Sequence, residues 1–200
     1  MLEQILWMLF LMALTAIVGM LLFKDKPNKI WFIIFAELAL IIRFVFIFVM
    51  FSNGTEYSGT DGLIYHQVAK DIARQLKSGI PVWDLKYEYT WYTVLVGIQY
   101  AVFGVNRYAA SFVNSFISVL TGYYLTSIAL NLKFKERRSF LIGTLYMFIP
   151  SMVVWTADTR KESLIFFLIV MIWYMALKII KNRQLPIIGQ VLLITGVCVL

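Results

Sequence analysis

The chain has 200 residues, 61% hydrophobic and 14% charged, with mean hydropathy +0.80; soluble chains run at roughly 45–50% apolar and about 25% charged, so an ordinary soluble domain is excluded. The net charge of +7 would suit a nucleic-acid binder, but the basic residues sit at the ends of apolar runs, which is the pattern of a polytopic membrane protein with no nucleic-acid partner. A single cysteine, Cys198, and a single histidine, His66, exclude an intramolecular disulfide, a cysteine zinc site and a multi-histidine metal centre within these residues.

A bilayer core of roughly 30 Å requires about 20 apolar residues as helix. Gln4–Phe23 and Ile30–Phe51 meet that requirement. The first run does not read as a signal peptide, because Glu3 stands where a basic n-region belongs and no small-residue cleavage site precedes Lys24. It is expected to remain as a span, with the N-terminus outside. The second run contains Glu37 and Arg43. Six residues apart, they lie about 240° around a helix and do not pair on one face. Intramembrane charges face a protein interior or a water cavity, so both are expected to meet partners on other helices.

An outer loop, Ser52–Tyr108, follows. Asn53-Gly-Thr-Glu-Tyr-Ser-Gly59 is a turn-rich opening. Asp61–Ser78 then reads as an amphipathic helix, with Ile64, Val68, Ile72 and Leu76 as an i, i+4 stripe widened by Ala69 and Ala73. Lys70, Asp71, Arg74 and Lys77 take the other side, and Gly79 with Pro81 stops it. Such a helix suits the membrane interface. Asp61 at its first position would satisfy orphan N–H groups, a role worth about 1 kcal/mol that does not preclude chemistry. Tyr65, one turn on, would line whatever Asp61 faces, and His66 reads as an interfacial polar residue. Trp91–Val105 is apolar but only 15 residues long.

Three further spans follow, Ala109–Leu132, Ser139–Trp155 and Ser163–Ile180, and a last run starts at Pro186 and is still apolar at Leu200. That incomplete run, 186–200, suggests the N-terminal part of a longer protein. If Trp91–Val105 does not cross, ten basic and two acidic residues fall on one side, including Lys24–Lys29, Lys133–Arg138 and Lys178–Arg183. Seven basic and eight acidic residues fall on the other. If it crosses, the basic clusters face opposite sides. The positive-inside rule selects the first arrangement, so Trp91–Val105 is expected to be an interfacial or re-entrant helix on the outer face. A second outer loop, Ala157–Glu162, then faces the same compartment as the first. Its Thr159-x-x-Glu162 is a capping-box pattern, which leaves Asp158, Arg160 and Lys161 unexplained. The expected fold is all-α: one transmembrane domain, a polytopic helical bundle with interfacial helices in its first large outer loop.

The ordered series is familiar. Asp61-Gly-Leu-Ile-Tyr65 opens an amphipathic helix after a span, with Ala69, Ala73 and Gly79; Tyr92–Phe103, Gly104-Val-Asn106, Arg107 and Asn114 follow; Pro150, Trp155, Asp158 and Lys161-Glu162 then head a further span. The series, over roughly Ile30–Ile180, resembles the C-type (GT-C) glycosyltransferases, polytopic enzymes related to protein O-mannosyltransferases and the lipid A aminoarabinose transferase. The resemblance implies sugar transfer from a polyprenyl-phosphate donor, bound from the membrane at the outer face of a bacterial or archaeal plasma membrane, to a cell-envelope glycan, lipid or protein. It implies Asp61 as general base and Asp158 as the second catalytic carboxylate. Tyr65, His66, Arg160, Lys161 and Glu162 become substrate contacts, with Arg160 and Lys161 on the lipid phosphate. Many relatives carry an acidic residue after the first Asp; this chain has Gly62, which leaves a divalent metal an open question. Gln4–Phe23 is an additional span, and the family's later spans are not in this sequence. Three other readings compete: an O-antigen-type polymerase or ligase, a transporter or flippase, and a non-catalytic membrane subunit in which Asp61 and Glu162 only cap helices.

Overall fold

A computed structural model of the protein describes residues 2–54, 61–87 and 90–182. These form eight α-helices and no strand. They are α1 (Leu2–Leu22), α2 (Lys29–Ser52), α3 (Asp61–Lys77), α4 (Trp91–Phe103), α5 (Arg107–Asn131), α6 (Glu136–Phe148), α7 (Pro150–Thr156) and α8 (Glu162–Asn182). A short 3-10 turn at Val82–Asp84 lies between α3 and α4. The apolar run 186–200 lies outside the described residues.

Four helices, α1, α2, α5 and α8, are long and apolar enough to cross a membrane. The expected continuous span 139–155 is instead two helices, α6 and α7, bent by 56°. Pro150 explains the break. It has no N–H to donate, and its ring pushes Ile149 out of the helical region, to φ −60° and ψ 120°. The chain restarts at once, because proline suits a first helical position.

The broken span is clamped by Arg43. This residue is wholly buried and donates from Nη1 to the carbonyls of Met147 (2.8 Å) and Ala39 (3.1 Å). Its Nε donates to Thr156 Oγ1 and its Nη2 to Ser118 Oγ, both at 3.3 Å. The Met147 carbonyl lies in the last turn of α6, where helix termini leave acceptors unused. Arg43 thus has the partners on other helices that an intramembrane charge requires. Glu37 does not: both carboxyl oxygens are buried with no hydrogen-bond partner among the described residues.

α5 is the central helix and packs against α1, α2, α6, α7 and α8. α3 and α4 pack chiefly on each other. At 13 residues α4 extends only about 20 Å, too short to cross. Contacts at the two ends of the bundle show the same thing. At one end Asn106 donates to Glu3 (2.8 Å), and the Arg107 guanidinium lies 4.4 Å from the Phe51 ring centre. The start of α5 therefore sits with the start of α1 and the end of α2. At the other end Asn28 donates to Glu136 from its backbone and side-chain nitrogens (3.2 and 2.9 Å), and Lys181 reaches Asn131. The chain leaves α2 and enters α5 at one end, with α3 and α4 lying there. The lysine- and arginine-rich turns gather at the opposite end.

The buried face of α3 is rotated from the expected stripe. Gly62, Tyr65, Ala69, Ile72 and Ala73 are buried, while Ile64, Val68 and Leu76 are only half-buried at its flank. Close approach is the reason: Gly97 of α4 seats directly on Ile72 and on the backbone of Ala69, so small residues carry the contact. The helix stops as its glycine foretells. Gly79 takes φ +90°, with Gly79 N–H donating to Leu76 and Ile80 N–H to Gln75, a Schellman closure.

Candidate functional site

The two loops meet. Asp61, the first residue of α3, has a half-exposed side chain whose Oδ2 lies 3.8 Å from Arg160 Nη1. Arg160 is buried, its guanidinium 4.8 Å from the Trp155 ring centre, and its Nε lies 3.9 Å from Asp158 Oδ2. Asp158 is wholly buried. Its Oδ1 accepts from Arg107 Nη2 (3.0 Å) and from the Thr159 backbone N–H (2.6 Å). Two carboxylates and two guanidiniums thus alternate in the order Asp61, Arg160, Asp158, Arg107, with Asp158 the most deeply buried. A charge this deep costs several kcal/mol, of the order of magnitude known for buried ions, unless paired and hydrogen-bonded. Asp158 is both.

The second loop is held in place by α5. Asn114 Nδ2 donates to the carbonyls of Asp158 (2.6 Å) and Arg160 (2.7 Å), while its Oδ1 accepts from the Tyr92 hydroxyl (3.0 Å). Ser111 and Thr159 share a hydroxyl–hydroxyl bond of 3.1 Å. Burial holds the Tyr92 phenol well above its ordinary pKa, so it stays a neutral donor. One amide therefore fastens α4, α5 and the loop together.

The remaining expected site residues separate. Tyr65 is buried against Tyr92, edge to face with ring centres 5.6 Å apart. His66 is half-buried, and its Nδ1 is bonded to the Tyr100 hydroxyl at 2.8 Å. Burial, then the nearby Arg107 and Lys70, push its pKa down to about 4, against a weaker opposing pull from Asp158. His66 is therefore neutral at physiological pH. The capping box does not form as expected. The Lys161 carbonyl accepts the first N–H bonds of α8, from Leu164 and Ile165, so Lys161 and not Thr159 is the capping position. Glu162 is the first helical residue, where the macrodipole favours a negative charge. Half-buried Lys161 sits beside it.

Arg107, Asn114 and Tyr92 were legible in the sequence only as members of the ordered series, with no role attached. An Asn inside an apolar span is itself a signal, since it requires partners there. Among the described residues no group of three or more His, Cys, Asp or Glu side chains is placed to hold a metal ion. Gly62 has a local reason: a Cβ there would collide with the Asp158 carboxylate. The acid of the second loop thus occupies the space a side chain at position 62 would take.

No family model, curated protein or solved structure matches the chain.

Proposed function

We propose that this chain carries the catalytic end of a membrane glycosyltransferase that moves a sugar from a polyprenyl-phosphate donor to a cell-envelope acceptor. The observation that supports this reading is the convergence of Asp61 with Arg160 and Asp158 from a separate loop, at the end of the bundle away from the basic turns. By the positive-inside rule that end is the outer face. In this reading Asp61 takes the proton of the acceptor hydroxyl as its oxygen bonds to the anomeric carbon. The bond from that carbon to the phosphate oxygen breaks, and the departing lipid phosphate is stabilised by Lys161 and the amino terminus of α8. Asp158 and Arg160, being buried, act as positioning residues that hold Asp61 and the loop in register.

The experiment is donor consumption by the protein in lipid, with a panel of polyprenyl-phosphate sugars. Consumption by the wild type that falls at least about 100-fold in Asp61→Asn, with unchanged thermal stability, is the expected outcome; general bases contribute about 10²–10⁴-fold. Lys161→Ala is expected to raise the donor KM. Equal consumption by wild type and Asp61→Asn removes Asp61 from the chemistry.

The burial of Asp158 also favours a second reading. A carboxylate wholly enclosed by Arg107 and a backbone N–H is what a structural staple requires, and in a non-catalytic subunit the cluster would do only that. A folded wild type that consumes no donor supports it.

A further inference from the structure

We infer that the basic end of the bundle carries a binding site for an anionic glycerophospholipid, in a crevice between α2 and α6. This site is separate from the one proposed above and does not depend on it.

The crevice has a volume of about 580 Å³. Trp31 and Phe35 of α2 face Leu141 and Thr144 of α6 across it, and Phe32 and Phe140 form its floor. Those two rings are stacked, with centres 4.7 Å apart and planes 9° from parallel. Asn28 and Arg137 close the end towards the basic turns. The Asn28 side chain is fixed by its bond to Glu136, which ties the α1–α2 turn to the first turn of α6.

Three observations select the occupant. The walls belong to two membrane-crossing elements, so the crevice opens sideways at a depth where acyl chains lie. It runs from Asn28 to Phe35 along α2, about 10–12 Å, the reach of the upper part of one acyl chain. Its polar end is cationic. Exposed Arg137 lines it, Lys24, Lys26, Lys133 and Lys135 lie in the adjoining turns, and α2 and α6 both point their amino termini the same way. Asp25 and Glu136 oppose these charges, and Glu136 is already engaged by Asn28. A polar end of this sign fits a phosphate whose headgroup adds no compensating positive charge. Another apolar helix would fill the walls but leave Arg137 without its counter-charge.

The test uses the full chain purified in detergent, titrated with phosphatidylglycerol or phosphatidylcholine, with retained lipid counted by native mass spectrometry. The expected result is about fivefold tighter retention of phosphatidylglycerol, the scale of one basic residue near a membrane surface. Arg137→Gln is expected to bring the two lipids within about twofold of each other, with helix content and thermal midpoint unchanged because Arg137 is exposed. Thr144→Trp, which fills the crevice without touching its charge, is expected to reduce retention of both lipids. Equal retention of the two lipids by the wild type overturns the proposal. So does a phosphatidylglycerol preference that survives in Arg137→Gln, or efficient cross-linking of two copies through Trp31→Cys in a bilayer, which would make this face a protein interface.

Discussion

Asn114 uses both ends of one amide to hold three buried groups, the Asp158 and Arg160 carbonyls and the Tyr92 hydroxyl. Leaving a buried donor or acceptor unpaired costs about 1–3 kcal/mol, so Asn114→Ala is expected to destabilise the protein by about 2–3 kcal/mol. Equilibrium unfolding in detergent measures this, and a loss under about 0.5 kcal/mol would show that the loop holds itself. The sequence made Asp61, Asp158 and Arg160 conspicuous because charges flanking apolar runs stand out and alternation sends both loops to one side. Arg107 and Asn114 were silent by comparison. Their meaning depends on partners 51 and 44 positions away, and no local pattern encodes such a separation. Tyr65 shows the limit of local spacing too: its place one turn from Asp61 is legible, but its edge-to-face packing on Tyr92 of α4 is not.

Elements divide in the same way. Hydropathy locates helices because a span must be apolar along its length, and α1, α2, α5 and α8 follow the apolar runs closely. It locates the buried face of α3 only in part: Ala69, Ile72 and Ala73 of the expected stripe are buried, but Gly62 and Tyr65 are buried in place of Ile64, Val68 and Leu76, because the close seat of Gly97 turns the small residues towards α4. The break at Ile149–Pro150 was legible in chemistry, though length alone gave an unbroken span. The α3–α4 pair also contains the one histidine. Burial lowers the His66 pKa from about 6.5 in the unfolded chain to about 4 in the folded protein, so between those values the unfolded chain binds the extra proton. The stability that neutral His66 secures is complete above about pH 6.5 and declines as pH falls towards 4. The thermal midpoint should therefore drop over that range more steeply in wild type than in His66→Gln. Parallel curves would mean that His66 is solvated in the folded protein.

For the whole molecule, charge was the decisive signal. The expectation that ten basic residues and two acidic ones share one side kept α4 on the other, and the Glu3–Asn106 and Asn28–Glu136 bonds place the described helix ends at the two ends of the bundle in that order. Single cysteines in Asp61–Lys77 and in Trp91–Phe103, introduced on a Cys198→Ser background, should both label from the face opposite a cysteine at Lys135. Labelling of the two helices from different faces would reverse the direction of α5 and break both bonds. What charge could not supply was the hub: α5 touches five other helices, and only its buried serines, threonines and Asn114 hinted at a helix facing protein on most sides.

The clamp at Arg43 sets a schedule for biogenesis. The guanidinium enters the bilayer with the second helix, yet its nearest acceptor, the Met147 carbonyl, is encoded 104 positions later. At ribosomal rates of about 5–20 residues per second, that is an interval of about 5–20 s. During it, a cation with only the Ala39 carbonyl of its own helix at hand has its remaining donors sheltered by the insertion machinery, by lipid phosphate or by water. Slowing translation between codons 43 and 147 should lengthen the vulnerable period.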